Sequence, residues 1–335
     1  MDAVSNQNVF LRTNLGVPLP QEDIDLVRAS VDSTSEELTI FISLVDIGSV
    51  DRSTGWSQMQ RRVAELYVVA FGRTLRSQAN VNIDIVVLDF CAYSPEDMAP
   101  FAQHKTLVAA KDEHAIPTWW PAPMTQNLVV YPQSAAPTES RGQQSGLAPS
   151  SSTRRPVPWT SYPHVALGGT FDHLHVGHKI LLTAGALAAT KRIVCGISAE
   201  QLLERKQYKE QLESYRVREL NVLLFLRKIR KDIIFELSPL YDQYGPTATD
   251  ASIEALVVSH ETHPGSNSLN VRRAEHGMPP MQLLPIDLVV TPQADANQPQ
   301  PDSDDYRASI SSENSALKIS STAIRRSLAE RQSRH

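Results

Sequence analysis

Hydrophobic residues along this chain gather into short runs set apart by polar stretches, and the spacing inside each run separates strands from helices. Leu38 to Val45 and Asn82 to Leu88 are nearly continuous apolar runs that read as buried strands, with Leu128 to Tyr131 a third. Between the first two, Val63, Leu66, Tyr67, Ala70 and Phe71 recur at helical spacing and predict a helix over Trp56 to Leu75. The C-terminal half alternates strictly. Strand-like runs fall at Val165–Leu167, Arg192–Ile197, Ile233–Leu237, Leu256–Ser259 and Leu283–Val290. Helical patterns fall near Lys179–Ala189, Ser214–Arg230 and Ser320–Arg331, with shorter helices expected at Asp250–Glu254 and Ser266–Glu275. Repeated strand–helix units of this kind predict an α/β fold, a parallel sheet covered by helices on both faces.

Composition breaks this pattern once. Pro132 to Pro158 is rich in Pro, Ser, Gly and Gln and lacks large apolar residues, so it cannot bury a core and reads as a flexible linker. The expected organisation is a small N-terminal α/β domain over 1–131, a linker over 132–160 and a second domain over 161–335. The first domain shows no phosphate loop, metal spacing or nucleophile signature. His104 and His114 read there as surface residues, and Trp119 and Trp120 as packing residues. A polar stretch at Thr291–Asn314 is expected to lie near the second domain's ligand site.

A formal net charge of −5 does not suggest a general nucleic-acid binder. The two cysteines, Cys91 and Cys195, sit in apolar runs and read as buried hydrophobes in a reducing compartment. The first twenty residues lack a basic start and an apolar core, unlike a secretory signal, and no apolar run reaches the roughly 20 residues that span a bilayer. A cytoplasmic protein with no membrane partner is expected.

The chemistry concentrates at Gly168-Gly169-Thr170-Phe171-Asp172-His173-Leu174-His175-Val176-Gly177-His178, where the apolar run Val165-Ala166-Leu167 gives way to a helical one. A strand that ends in glycines and turns into a helix offers free backbone N–H groups and the positive end of a helix dipole to an anion. His175 and His178 add side-chain donors that can be neutral or cationic near pH 7. Gly177 between them lets a ligand approach the backbone. Far downstream, Ser320, Ser321 and Thr322 precede Ala323-Ile324-Arg325 as a helix-start signal, and hydroxyls with a nearby arginine suit a triphosphate.

The first stretch resembles the T/S-F-D-x-x-H-x-G-H signature of the H-x-G-H nucleotidyltransferases, and Lys318 to Arg325 resembles their I-S-S-T-x-I-R segment. Within that superfamily the chain resembles the eukaryotic and archaeal phosphopantetheine adenylyltransferases. The likeness is carried by Ser198 to Lys206, Tyr215, Arg218, Asp242-Gln243-Tyr244-Gly245-Pro246, Val257 to Thr262 and Asn270-Val271-Arg272-Arg273. It runs from about Tyr162 to Arg331. The resemblance implies a Rossmann-like nucleotidyltransferase domain that joins ATP to phosphopantetheine, giving dephospho-coenzyme A and pyrophosphate, with Mg²⁺ carried in by ATP. It also implies roles. Thr170 would orient the acceptor phosphate, His178 would stabilise the transition state, and Lys206, with Lys209 as rival, would bind the acceptor phosphate. Gly168, Gly169, Phe171, Asp172, His175 and Gly177 would build the ATP site, or Asp172 would turn the loop and cap the helix without touching substrate. Arg273, Ser320, Ser321, Thr322 and Arg325 would bind phosphates.

Two features depart from the family pattern: His260 stands where an acidic residue is common, and Pro264-Gly265-Ser266 replaces a Gly-Gly turn. No kinase phosphate loop follows, so a monofunctional enzyme with an N-terminal extension is expected, most like the fungal form. Two alternatives share the motifs. One is a cytidylyltransferase, whose R-T-x-G-I-S-T-T segment is absent here. The other is a non-catalytic scaffold, and a scaffolding role beside other coenzyme A enzymes is also the expectation kept for the N-terminal domain.

Overall fold

The computed structural model describes residues 3–45, 47, 50, 54–77, 80–117, 119–131, 159–259, 263–286 and 321–332. The chain forms two compact units, Met1–Trp159 and Thr160–His335. The expected linker over 132–158, the loop at Thr291–Asn314, His260 and Ser320 lie outside the described residues.

The first unit holds β1 (Val4–Thr13), α1 (Gln21–Asp32), β2 (Thr34–Leu44), α2 (Gly55–Ser77), β3 (Asn82–Val87), α3 (Leu88–Cys91), α4 (Pro95–Ala102), β4 (Lys105–Ala109), α5 (Ala122–Gln126) and β5 (Leu128–Tyr131). All five strands are parallel, in the order β3-β2-β1-β4-β5. The sequence pattern had not indicated β1 or β4. β1 is the central strand, yet it carries Asn6, Gln7 and Asn8, which break its apolar run. Gln7 and Asn8 are buried by being bonded: Asn8 Nδ2 donates to the Phe101 carbonyl and Thr106 Oγ1, and Gln7 Oε1 accepts from Ser33 Oγ. Trp120 packs edge-on against Phe10 and Phe41 in this core. Trp159, expected at the end of the linker, is buried against Phe90 and Trp56, because an indole has too much apolar area to leave in water.

The second unit holds β6 (Tyr162–Gly169), α6 (Val176–Ala188), β7 (Ala189–Ser198), α7 (Tyr215–Ile229), β8 (Ile234–Leu240), β9 (Ala255–Ser259), α8 (His263–Glu275), β10 (Gln282–Ile286) and α9 (Ser321–Gln332). Its strands are again all parallel, in the order β10-β9-β6-β7-β8. The winding direction reverses between β6 and β9, and such a switch point opens a crevice beyond the strands' carboxyl ends. The short helix expected at Asp250–Glu254 is a turn instead. Asp250 Oδ1 accepts from the backbone N–H and hydroxyl of Ser252, a local bond that competes with helix formation. Cys195 is fully buried, as is Cys91 in the first unit, and neither is in a disulfide.

Gly196 on β7 lies beneath Leu240. A Cβ built there would stand 2.5–2.8 Å from three Leu240 side-chain atoms. Gly196→Ala is therefore expected to destabilise this unit by about 1–3 kcal/mol. Leu240→Ala in the same chain should recover part of the loss, read from denaturant midpoints; additive losses would exclude this contact as the cause.

Candidate active site

The signature segment sits at the switch point. β6 ends at Gly169, the chain loops over Thr170–His175, and α6 begins at Val176 with His175 as its N-cap residue. Two non-glycine residues of this loop, Phe171 (φ 52) and His173 (φ 47), are left-handed. Such backbone is held only where neighbours over-determine it. The Phe171 ring is fully buried. The His173 N–H donates to Glu213 Oε2 at 2.7 Å, its ring Nε2 lies 2.8 Å from the Gln211 carbonyl, and Glu213 N–H donates to Asp172 Oδ1 at 2.9 Å.

His175 and His178 stack with ring centroids 3.8 Å apart. The glycine between them makes room for that stack: a Cβ at Gly177 would stand 3.2–3.3 Å from the His175 ring. Burial is the main force on both imidazoles. It lowers His175 to about 4, with Asp172 pulling the other way, and it holds His178 well below the ordinary histidine value, helped by His175. Both rings are thus neutral at pH 7, rather than poised to switch there. The Nδ1 of each is buried with no partner among the described residues.

α9 closes this side of the site. Of its residues only Arg325 is fully buried. Arg325 Nη1 pairs with Asp172 Oδ2 at 2.6 Å, Nε donates to the Gln207 carbonyl, and Nη2 donates to Thr322 Oγ1. Ser321 Oγ donates to the Asp172 carbonyl at 3.0 Å and lies 3.4 Å from His175 Nε2. Arg325 and Asp172 were expected to meet phosphate or substrate, and here they bind each other. Ser321 and Thr322 are half-buried beside them. Thr170 is half-buried at the strand's end, Gly168 is exposed and Gly169 half-buried, and Lys206 and Lys209 are both exposed beyond β7.

Arg273 is placed elsewhere. Its buried guanidinium donates to the carbonyls of Pro279, Thr247, Asp250 and Ile253, and Asn270 one turn earlier bonds both backbone groups of Met281. These partners precede β9 and β10, so the cluster lies at the amino edge of the sheet. The signature loop is at the opposite edge, a strand of five residues at about 3.3 Å each away. The phosphate role expected of Arg273 is not supported by this position; the Asn270–Arg273 pair stitches loops to the sheet. Two residues that sequence reasoning did not assign to the site belong to it. Glu213 fixes the signature loop as above, and Arg218 donates to the Thr170 and Ser198 carbonyls. A signal for Arg218 was present: a cation in the first turn of a helix opposes the helix dipole, so it needs another partner.

A neutral imidazole stack, a strand-end glycine loop and a serine-led helix start, gathered at a switch point, define a nucleotidyltransferase-type α/β domain. No protein-family model matches the chain. It is 41% identical over 165 residues to an uncharacterized protein of Schizosaccharomyces pombe, covering 49% of this chain and 48% of that one. It is 44% identical over 124 residues to the phosphopantetheine adenylyltransferase of Saccharomyces cerevisiae, covering 37% of this chain and 41% of the yeast protein. Against the phosphopantetheine adenylyltransferase of Pyrococcus furiosus it is 36% identical over 131 residues, covering 39% of this chain and 78% of the archaeal protein. The chain belongs to the phosphopantetheine adenylyltransferase family. It spans about half or less of the two fungal relatives' lengths.

Two tests follow from this geometry. A histidine whose folded pKa is about 4 binds its proton in the unfolded chain first, near 6.5. The unfolded state therefore binds more protons between those values, and stability falls as pH drops from 6.5 to 4, by up to about 1.4 kcal/mol per pH unit for one such group. Urea titrations across that range should show His175→Asn with a shallower slope; an unchanged slope would exclude His175 as a source. Arg273→Met should destabilise the unit by about 2–4 kcal/mol, since it strips a charged donor from buried carbonyls, and should leave nucleotide affinity unchanged by calorimetry.

Proposed function

We propose that this protein transfers AMP from ATP to phosphopantetheine, forming dephospho-coenzyme A and pyrophosphate. A phosphate oxygen of the acceptor attacks the α-phosphorus of ATP, the α–β phosphoanhydride bond breaks, and pyrophosphate leaves. No covalent enzyme intermediate is needed, so the protein's task is positioning and charge stabilisation. The observation that carries the reading is the neutral His175–His178 stack at the start of α6, beside Ser321.

A neutral imidazole can donate one N–H toward the charge growing on the α-phosphate. His178 takes that role, and His175 and Ser321 hold neighbouring phosphates. Thr170 and the strand-end backbone orient the acceptor, and exposed Lys206 reaches its phosphate, with Lys209 the rival. Mg²⁺ enters on the triphosphate. The buried carboxylate of the site, Asp172, already bonds the Glu213 N–H and Arg325, so the donor set does not fit a resident ion. On this reading the protein binds ATP and acts in coenzyme A biosynthesis, and the cytoplasm is kept as its expected compartment. No helix among the described residues is long and apolar enough to cross a membrane.

Pyrophosphate release with Mg²⁺ tests the reading, offering ATP or CTP with phosphopantetheine, glycerol phosphate or phosphocholine. Release is expected only with ATP and phosphopantetheine, and His178→Ala should lower it by at least about 100-fold, the usual scale for removing one transition-state donor. Release with CTP would move the protein to the cytidylyltransferases. Silence with every pair from a folded chain would leave the scaffold reading.

A further inference from the structure

We propose that Arg218 is a positioning residue for the acceptor, fixing the Thr170 segment against the end of β7; this rests on the adenylyl-transfer reading above. Arg218 is the fourth residue of α7 and is fully buried. Its Nη1 donates to the Thr170 carbonyl at 2.7 Å and the Ser198 carbonyl at 2.9 Å, and its Nε donates to the Glu213 carbonyl at 3.1 Å. The three acceptors come from three separate stretches: the loop after β6, the end of β7 and the approach to α7. One planar fork therefore sets the relative positions of the walls between which an acceptor phosphate must sit. A lysine offers one point charge and cannot hold the same three carbonyls in register.

Several local effects oppose an arginine here. Burial lowers its pKa against the pull of Asp172, Tyr215, Glu213 and Glu200, the helix dipole is unfavourable to it, and Nη2 is buried with no hydrogen-bond partner among the described residues. A buried donor without a partner is unfavourable. Apolar packing alone would be served by a leucine. What the guanidinium adds is a fixed charge behind the Thr170 peptide. A hydrogen bond to that carbonyl polarises the Thr170–Phe171 peptide and strengthens the Phe171 N–H as a donor.

Arg273 supplies the control. It is equally buried and also bonds only carbonyls, but it does so at the sheet's other edge. An arginine that merely ties loops together should behave like Arg273. An arginine that sets acceptor geometry should not.

The experiment is steady-state kinetics on the full chain, varying ATP and phosphopantetheine independently, for wild type, Arg218→Lys, Arg218→Gln and Arg273→Lys, with melting curves alongside. The Arg218 variants are expected to raise the KM for phosphopantetheine about tenfold or more and to lower kcat, with the KM for ATP within about twofold of wild type (a tenfold change corresponds to about 1.4 kcal/mol). Arg218→Gly, made as a fourth variant for rescue, should recover part of the rate when guanidinium is added. Arg273→Lys should lower the melting temperature and leave both KM values alone. An Arg218 series in which activity only tracks melting temperature, as with Arg273→Lys, would overturn the proposal. So would failure of every Arg218 variant to fold, which would assign the residue to the core. An inactive wild type would instead overturn the adenylyl-transfer reading, and this proposal with it.

Discussion

The Asp172–Arg325 ion pair is the constraint on which the site depends. Asp172 has no exposed surface, and a buried carboxylate without a partner is strongly unfavourable. Its two oxygens are met from opposite directions, one by the Glu213 backbone and one by α9. The signature loop, the approach to α7 and the C-terminal helix therefore hold their places through one side chain. α9 has little apolar face to dock with, so the pair does for it what a hydrophobic stripe does for α6. Breaking a buried pair by removing one partner leaves a charge with nowhere to go, typically a loss of about 3–5 kcal/mol.

Three fully buried arginines among the described residues divide the labour of the second unit, and chemistry alone does not tell them apart. Arg325 neutralises a carboxylate, Arg273 holds carbonyls at the amino edge, and Arg218 holds carbonyls at the carboxyl edge. Which edge of a parallel sheet a residue reaches decides whether its charge can matter to a ligand. That is a property of the fold's winding and not of the residue.

The same point explains what was legible in the sequence. The inner strands of the second unit announced themselves because both their faces are covered, which leaves runs such as Arg192–Ile197 almost purely apolar inside. The central strand of the first unit did not, because Gln7 and Asn8 are satisfied by partners far along the chain that no local pattern contains. The histidine pair could be read from spacing, since i and i+3 positions meet on one helical face. Their neutrality could not, because it follows from burial. Arg273 was misplaced for a related reason: the motif around it specifies a helix and a loop but not the edge at which they lie. The pairing of Arg325 with Asp172 could not be read, because the distance between Asp172 and α9 in the chain hides their contact.

Both units wind their five strands in one order, and each turns from its first strand into its first helix at the switch point. The third residue of that helix is His178 in the second unit and Asp23 in the first. Asp23 is buried and bonded to Lys111, with Asp112 nearby, itself pushed up to about 6 chiefly by burial. At matching helical positions one unit holds a neutral imidazole and the other a buried carboxylate paired with a lysine. Repetition of an architecture within a chain thus repeats the scaffold without repeating the electrostatics at its switch point.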